Sequence, residues 1–242
     1  MSCKNQLMTF FIAILTVCFL TGCVDLSNNQ GGGYQVMDVE GTVITIAHKP
    51  QRILTVSAGT DELMLGLVEP ERMAAINESL ADREHTNIPW VCDRIPTVIP
   101  RSPSAEQIAA LHPDLVVVTP WMPRENIDAI RELNVPVLVC KSAATIEDIH
   151  DNIRLYAAAV GEVERGEKLV GMMEEKLAEI RAKVAEVPEE KKHRSIALIS
   201  IMVNYGGAGC TFDELCRCTD SINAKAAAGN RMGQEMTKEQ LV

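Results

Sequence analysis

Three short apolar runs limit what this chain can fold into more than any other feature. They are Ile53 to Val56 (ILTV), Asp114 to Val118 (DLVVV) and Val135 to Val139 (VPVLV). A strand with one wet face alternates apolar and polar residues, and these runs do not, so they read as strands buried on both faces. Helical punctuation lies between them. Thr60 reads as the cap of a helix carrying Leu63, Leu65, Leu67 and Val68, and Ser104 as the cap of one reaching Leu111. Pro123 to Leu133 reads as helix. Thr145 with Asp148 has the spacing of a capping box, followed by the stripe Ile146, Ile149, Ile153 and Tyr156. Strands alternating with helices predict an α/β fold with a covered parallel sheet. Ligands of such sheets bind beyond the carboxyl ends of the strands. The loops after Val56, Ile76, Val118 and Val139 are therefore the first places to seek a site.

The remaining segments fit round this frame. Tyr34 to Ala47 predicts a hairpin turning at Glu40-Gly41. Met73 to Ile76 predicts another short strand, and the proline-bearing stretch from Asn77 to Pro103 predicts an irregular loop, long enough to suggest function. Glu162 to Val187 is charged, lacks proline and carries Val163, Leu169, Met173, Leu177, Ile180 and Val184, so it predicts one helix of about 39 Å. It reads as a brace between two lobes, with a helical linker or coiled-coil segment as the alternative. Ser195 to Ile201 (SIALISI) then predicts a new buried strand. After it come the turn Tyr205-Gly206-Gly207-Ala208-Gly209, a helix capped by Thr211 running towards Cys218, and a helix start at Thr237 to Leu241.

The amino end reads as targeting sequence. Lys4 precedes the uncharged run Leu7 to Leu20, which is shorter than the about 20 residues of a membrane span and suits a signal-peptide core. Leu20-Thr21-Gly22-Cys23 resembles the bacterial lipobox, which implies cleavage before Cys23 and a lipid (palmitate-type) anchor on it. Residues 1–22 are then the lipoprotein signal peptide, and 23–33, rich in glycine and asparagine, a flexible tether. The formal net charge of −10 argues against a nucleic-acid partner. Cys92, Cys140, Cys210, Cys216 and Cys218 remain as an odd set and read as packing or adventitious thiols rather than a metal site. The histidines (His48, His85, His112, His150, His193) are scattered, and only His85 lies in the irregular loop.

Four stretches, in order, resemble one family. They are Gly41 to Ile53 (GTVITIAHKPQRI), Thr60 to Ile76, Ser102 to Val118 (SPSAEQIAALHPDLVVV), and the long charged helix followed by strand, Tyr-Gly-Gly-x-Gly and helix. Together they resemble the periplasmic solute-binding proteins of iron-siderophore, haem and cobalamin ABC importers. The third stretch, with Leu-x-Pro-Asp-Leu-Val after a glutamate-bearing helix, is the most specific. The resemblance implies two Rossmann-like α/β lobes bridged by one long helix: residues 34–160 as first lobe, 161–188 as bridge and 189–242 as a second lobe that looks incomplete. In that family an exposed glutamate on each lobe docks onto arginines of the membrane permease. Glu106 takes the first position and Glu239 the second, because Thr237-Lys238-Glu239-Gln240-Leu241 repeats the order of Ser104-Ala105-Glu106-Gln107-Ile108. Without the resemblance both would read as solvated helix glutamates.

The ligand is expected between the lobes. Aromatic residues make up only 4% of the chain, so Trp90, Trp121 and Tyr205, each outside a core pattern, stand out as candidate ligand walls. Ser57 and Asn77 join them as contacts at strand ends. Each tryptophan could instead pack within the lobe, and Tyr205 reads as a hydrogen-bonding cleft residue ahead of a haem-iron ligand. No hydrolase elbow, metalloprotease helix or phosphate loop with its lysine is present, so no enzyme activity, resident metal or cofactor is expected. The expected function is a lipid-anchored, cell-envelope carrier of a metal chelate or corrinoid that delivers to an ABC permease. The alternatives are a non-transporting surface lipoprotein and a truncated, impaired family member.

Overall fold

The computed structural model describes residues 33–84, 86–199 and 205–240. The expected anchor Cys23, the signal segment and His85 lie outside the described residues. In chain order the elements are β1 (Tyr34–Met37), β2 (Val43–Ile46), β3 (Ile53–Thr55), α1 (Ala58–Leu67), β4 (Ile76–Asn77), α2 (Glu78–Ala81), α3 (Val91–Arg94), β5 (Val98–Ile99), α4 (Ala105–Ala109), β6 (Leu115–Val118), α5 (Arg124–Arg131), β7 (Val137–Val139), α6 (Ile146–Val160), α7 (Val163–Ala185), β8 (Ser195–Ile196), α8 (Thr211–Cys218), β9 (Ile222–Asn223) and α9 (Ala224–Ala227). The molecule is mixed α/β, as expected. The stretch from Asn77 to Pro103 is less irregular than its prolines suggest, since it holds α2, α3 and β5.

β3, β6 and β7 form a parallel sheet with β6 central, and β4 pairs in parallel with β5. A parallel bridge between Ile53 and Met73, with Ala74 N donating to Ile53 O at 2.8 Å, joins the two sets. The spatial order is therefore β5-β4-β3-β6-β7, and the chain reverses its direction of progress between β3 and β6. Successive strand residues serve opposite faces. Ile53, Leu115, Val117 and Leu138 face a core shared with α1, α6 and the hairpin, while Leu54, Val56, Val116, Val118, Val137 and Val139 face one shared with Ile108 of α4 and Ile127 and Ile130 of α5.

Two sequence motifs form one interlock at the amino ends of β3 and β6. The Asp114 carboxylate accepts from Gln51 N (2.7 Å) and Arg52 N (2.9 Å). The Arg52 guanidinium reaches back to the carbonyls of Leu111 (2.6 Å) and His112 (3.2 Å), the last turn before β6. This pairing brings Ile53 opposite Leu115.

The helix ends show how local chemistry and tertiary context divide the work. Ser104 with Gln107 and Thr145 with Asp148 form reciprocal capping boxes. At α1 the cap is Ser57, three residues ahead of Thr60, which closes the box from inside the helix. At α8 the cap position falls on Cys210, and Thr211 instead donates its hydroxyl proton to Ala143 O at 3.2 Å. Gly161 (φ 69°) ends α6 in the left-handed region, and Gly166 lets α7 approach closely, since a Cβ there would lie 2.5 Å from that of Ala157. α7 runs for 23 residues but buries only Gly166 and Val170. β8 pairs in parallel with β9, and the described part of the expected buried run Ser195 to Ile201 is exposed, with Ile199 82% exposed, while Ser200 and Ile201 lie outside the described residues. Burial needs a covering layer on each face, and among the described residues β8 has β9 as its paired neighbour.

Replacing Asp114 with alanine leaves the main-chain N–H groups of Gln51 and Arg52 without their acceptor. Chemical denaturation of the variant should show a loss of about 1–3 kcal/mol, whereas Asp114→Asn, which keeps one acceptor, should lose less.

Candidate functional site

The carboxyl ends of β4, β3, β6 and β7 lie along one edge of the sheet, at the reversal between β3 and β6 where open α/β sheets form a crevice. A buried carboxyl stitches part of this edge together. Asp61, on the inward face of α1 with Met64 and Leu65, is fully buried. It accepts the hydroxyl of Thr55, the last residue of β3, and Asn77 N at the end of β4 (2.7 Å). Asn77 continues the chain of contacts: its amide donates to Val56 O (3.3 Å) and Pro100 O (3.2 Å) and accepts from Ser79 N (3.0 Å). The ends of β3, β4 and β5 are thus held by two side chains. On the other side, Cys140 N donates to Val118 O (2.9 Å), and Asn152 of α6 brackets Lys141 through both its N–H and its carbonyl.

Burial pushes the Asp61 carboxyl up to about 7; the Thr55 and Asn77 hydrogen bonds oppose the rise, and neighbouring Glu62 adds to it. The sequence reading passed over Asp61. The available signal was an acidic residue in register with Met64 and Leu65, three and four positions on, on the face turned to the core.

The expected contacts separate into two groups. Asn77 is 2% exposed and its amide is spent on the main chain around it, so it shapes the strand ends rather than presenting a free group. Ser57 is partly buried, with its hydroxyl turned to Thr60. Trp121, three residues beyond β6, is 70% exposed, and Trp90, just ahead of α3, is 46% exposed. Tyr205 is half exposed, and its carbonyl accepts from the buried Lys225 ammonium at 2.9 Å. The hydroxyl of Thr211 on the Ala143 carbonyl and the packing of α8 on α7 are two described contacts of the segment after Ser195 with earlier elements.

Glu106 and Glu239 are both exposed and sit in matching frames. Ser104 N donates to Gln107 Oε1 at 2.9 Å, and Gln107 N to Ser104 Oγ at 3.3 Å. Thr237 N donates to Gln240 Oε1 at 2.9 Å, and Gln240 N to Thr237 Oγ1 at 3.4 Å. Among the described residues no helix is long and apolar enough to cross a membrane, no cluster of three or more metal-binding side chains forms, and the five cysteines are free.

Comparison with known proteins bears on this geometry. A family model described as periplasmic binding protein matches residues 54–231. The chain is 26% identical over 186 residues to YhfQ of Bacillus subtilis (strain 168), a lipoprotein named for ABC transporter substrate binding. It is 22% identical over 191 residues to YfiY of the same organism, named for siderophore binding. These alignments cover 75% and 76% of the chain, and the chain spans 57% of the length of each relative. Among solved structures, the apo periplasmic haem-binding protein RhuT from Roseiflexus sp. RS-1 superposes with a TM-score of 0.66 at 23% identity, over 79% of this chain and 72% of that one.

Asp61 supplies a test of the site's floor. Its folded-state pKa lies above the ordinary 3.8, so its stabilising contribution is complete below about pH 4 and is lost as pH rises towards 7. Asp61→Asn carries no charge: its carbonyl can accept from Asn77 N while its amide donates to the Thr55 hydroxyl oxygen. Urea unfolding should show the variant gaining on the wild type between pH 4 and 7, by up to roughly 4 kcal/mol. Parallel stability curves would mean that Asp61 does not titrate in this window.

Proposed function

Since the chain belongs to the periplasmic binding protein family, we propose that it is the substrate-binding component of an ABC importer, held in the cell envelope by a lipid on Cys23. Its cargo in this reading is a metal chelate: an iron-siderophore, haem or a cobalamin-type corrinoid. It captures the ligand beyond the carboxyl ends of β3, β4 and β6 and delivers it to a permease. In this reading residues 34–160 belong to the first lobe, 161–188 to the bridging helix and 189–242 to the second lobe.

Trp121 is the observation that carries the reading. An indole 70% exposed just beyond the central strand has little packing role, and it stands where ligands of such sheets bind. A flat ligand gives such a surface a large apolar partner. Ser57 follows the end of β3, and Trp90 and Tyr205 are the further ligand contacts in this reading; Asn77 and Asp61 act by holding the strand ends still. The siderophore named for YfiY and the haem named for RhuT support a chelate as the ligand class. Glu106 and Glu239 serve as the docking charges, where surface complementarity sets orientation and association rate more than affinity.

The chain has two tryptophans, so selectively excited tryptophan fluorescence reports on Trp90 and Trp121 alone. Titration with a ferric hydroxamate, haem and cobalamin should give saturable quenching with one class. Trp121→Ala should weaken that binding about tenfold while leaving thermal stability nearly unchanged. Flat titrations with all three would rule out the proposed cargo.

A further inference from the structure

A docking charge needs only exposure, yet the carboxylate of Glu106 is held. We propose that the cap hydroxyl two residues ahead, that of Ser104, is a positioning residue that orients the docking carboxylate before the permease is met. The inference rests on the docking reading above and deepens it.

Ser104 does two things with one hydroxyl. Its oxygen accepts from Gln107 N at 3.3 Å, and its proton goes to Glu106 Oε2 at 2.6 Å. A hydroxyl has one proton and two lone pairs, so the two bonds are compatible. Capping alone does not need the proton, since aspartate caps equally well. A serine or threonine is needed where the cap must also donate to a carboxylate. The residue that closes the box matters as well. Capping boxes use glutamate or glutamine, and both boxes here use glutamine, Gln107 and Gln240. A neutral amide completes the cap without setting a second negative charge beside the docking one.

The second site repeats the reciprocal Thr237–Gln240 bonds of the cap. The Glu106 carboxyl is lowered first by the Ser104 hydroxyl. The frame does not follow from a cap alone. After Thr145 the equivalent position is Glu147, whose carboxylate faces Arg154 at 3.9 Å, and the box is closed by the acidic Asp148. A glutamate side chain held in one orientation loses less conformational freedom when it meets an arginine.

The test compares Ser104→Gly, Ser104→Thr and Glu106→Ala in the full chain. Glycine is an acceptable cap that lacks the hydroxyl, and threonine restores it. Two quantities are read: the carboxyl titration of Glu106 by NMR in the free protein, and the Kd for nanodiscs carrying the host's reconstituted permease–ATPase complex. Ser104→Gly should raise the Glu106 titration midpoint and weaken docking about fivefold, and Ser104→Thr should return both to the wild-type values. If docking or the titration midpoint is unchanged in Ser104→Gly while Glu106→Ala still weakens docking, the positioning role is wrong and the docking reading stands. If Glu106→Ala docks like the wild type, the docking reading itself falls, and the inference with it.

Discussion

Everything in the first α/β unit depends on how β3 is set against β6, and that setting comes from Arg52 and Asp114. The carboxylate gathers two main-chain donors ahead of β3, while the guanidinium gathers two carbonyls ahead of β6. Each partner therefore completes the turn that leads into the other's strand. A slip of one residue in either strand would send every side chain to the opposite face. Ile53 and Leu115 would then leave the core they share with α1 and α6 for the one lined by α4 and α5. The motifs Pro-x-Arg-Ile and Leu-x-Pro-Asp-Leu-Val are thus two halves of one contact, lying 62 residues apart for the Arg52 N–Asp114 pair.

The interlock sits at the amino ends of the strands, and the candidate site lies at the opposite ends. With the register held from below, the upper edge needs only a few side chains to become a defined surface. Asp61 and Asn77 supply these on one side, and Asn152, bracketing Lys141, supplies them on the other. Trp121 then stands exposed in the loop beyond β6. The division is physical: buried polar groups must find partners, so Asn77 and Asp61 are committed to the scaffold, while the two tryptophans stay exposed.

Features set by neighbours in the chain could be read directly. The reciprocal caps Ser104–Gln107 and Thr145–Asp148 and the hairpin at Glu40-Gly41 need only a few consecutive residues. The parallel sheet could be read because its strands are short apolar runs separated by helical stretches. Features set by distant contacts were missed or misjudged. Thr60 looked like the cap of α1 because it precedes the apolar stripe, whereas the chain bends at Ser57 as it leaves β3. Asn77 looked available because it follows a strand, yet the ends of β3 and β5 close over it. The run from Ser195 looked like Ile53 to Val56, but Ile196, Leu198 and Ile199 lie open.

By itself, then, the sequence determined the class of fold, the edge of the sheet where a site belongs, and the Ser/Thr-x-Glu-Gln frames around Glu106 and Glu239, since each is written in periodicity or in hydrogen bonds spanning three or four residues. Only the tertiary structure decided which polar side chains were consumed by the scaffold and which aromatics stayed exposed. Burial depends on what covers a residue from elsewhere in the chain, and Asp61 shows the consequence: a carboxyl on the buried face of a helix became the tie between two strand ends, with its pKa raised to about 7.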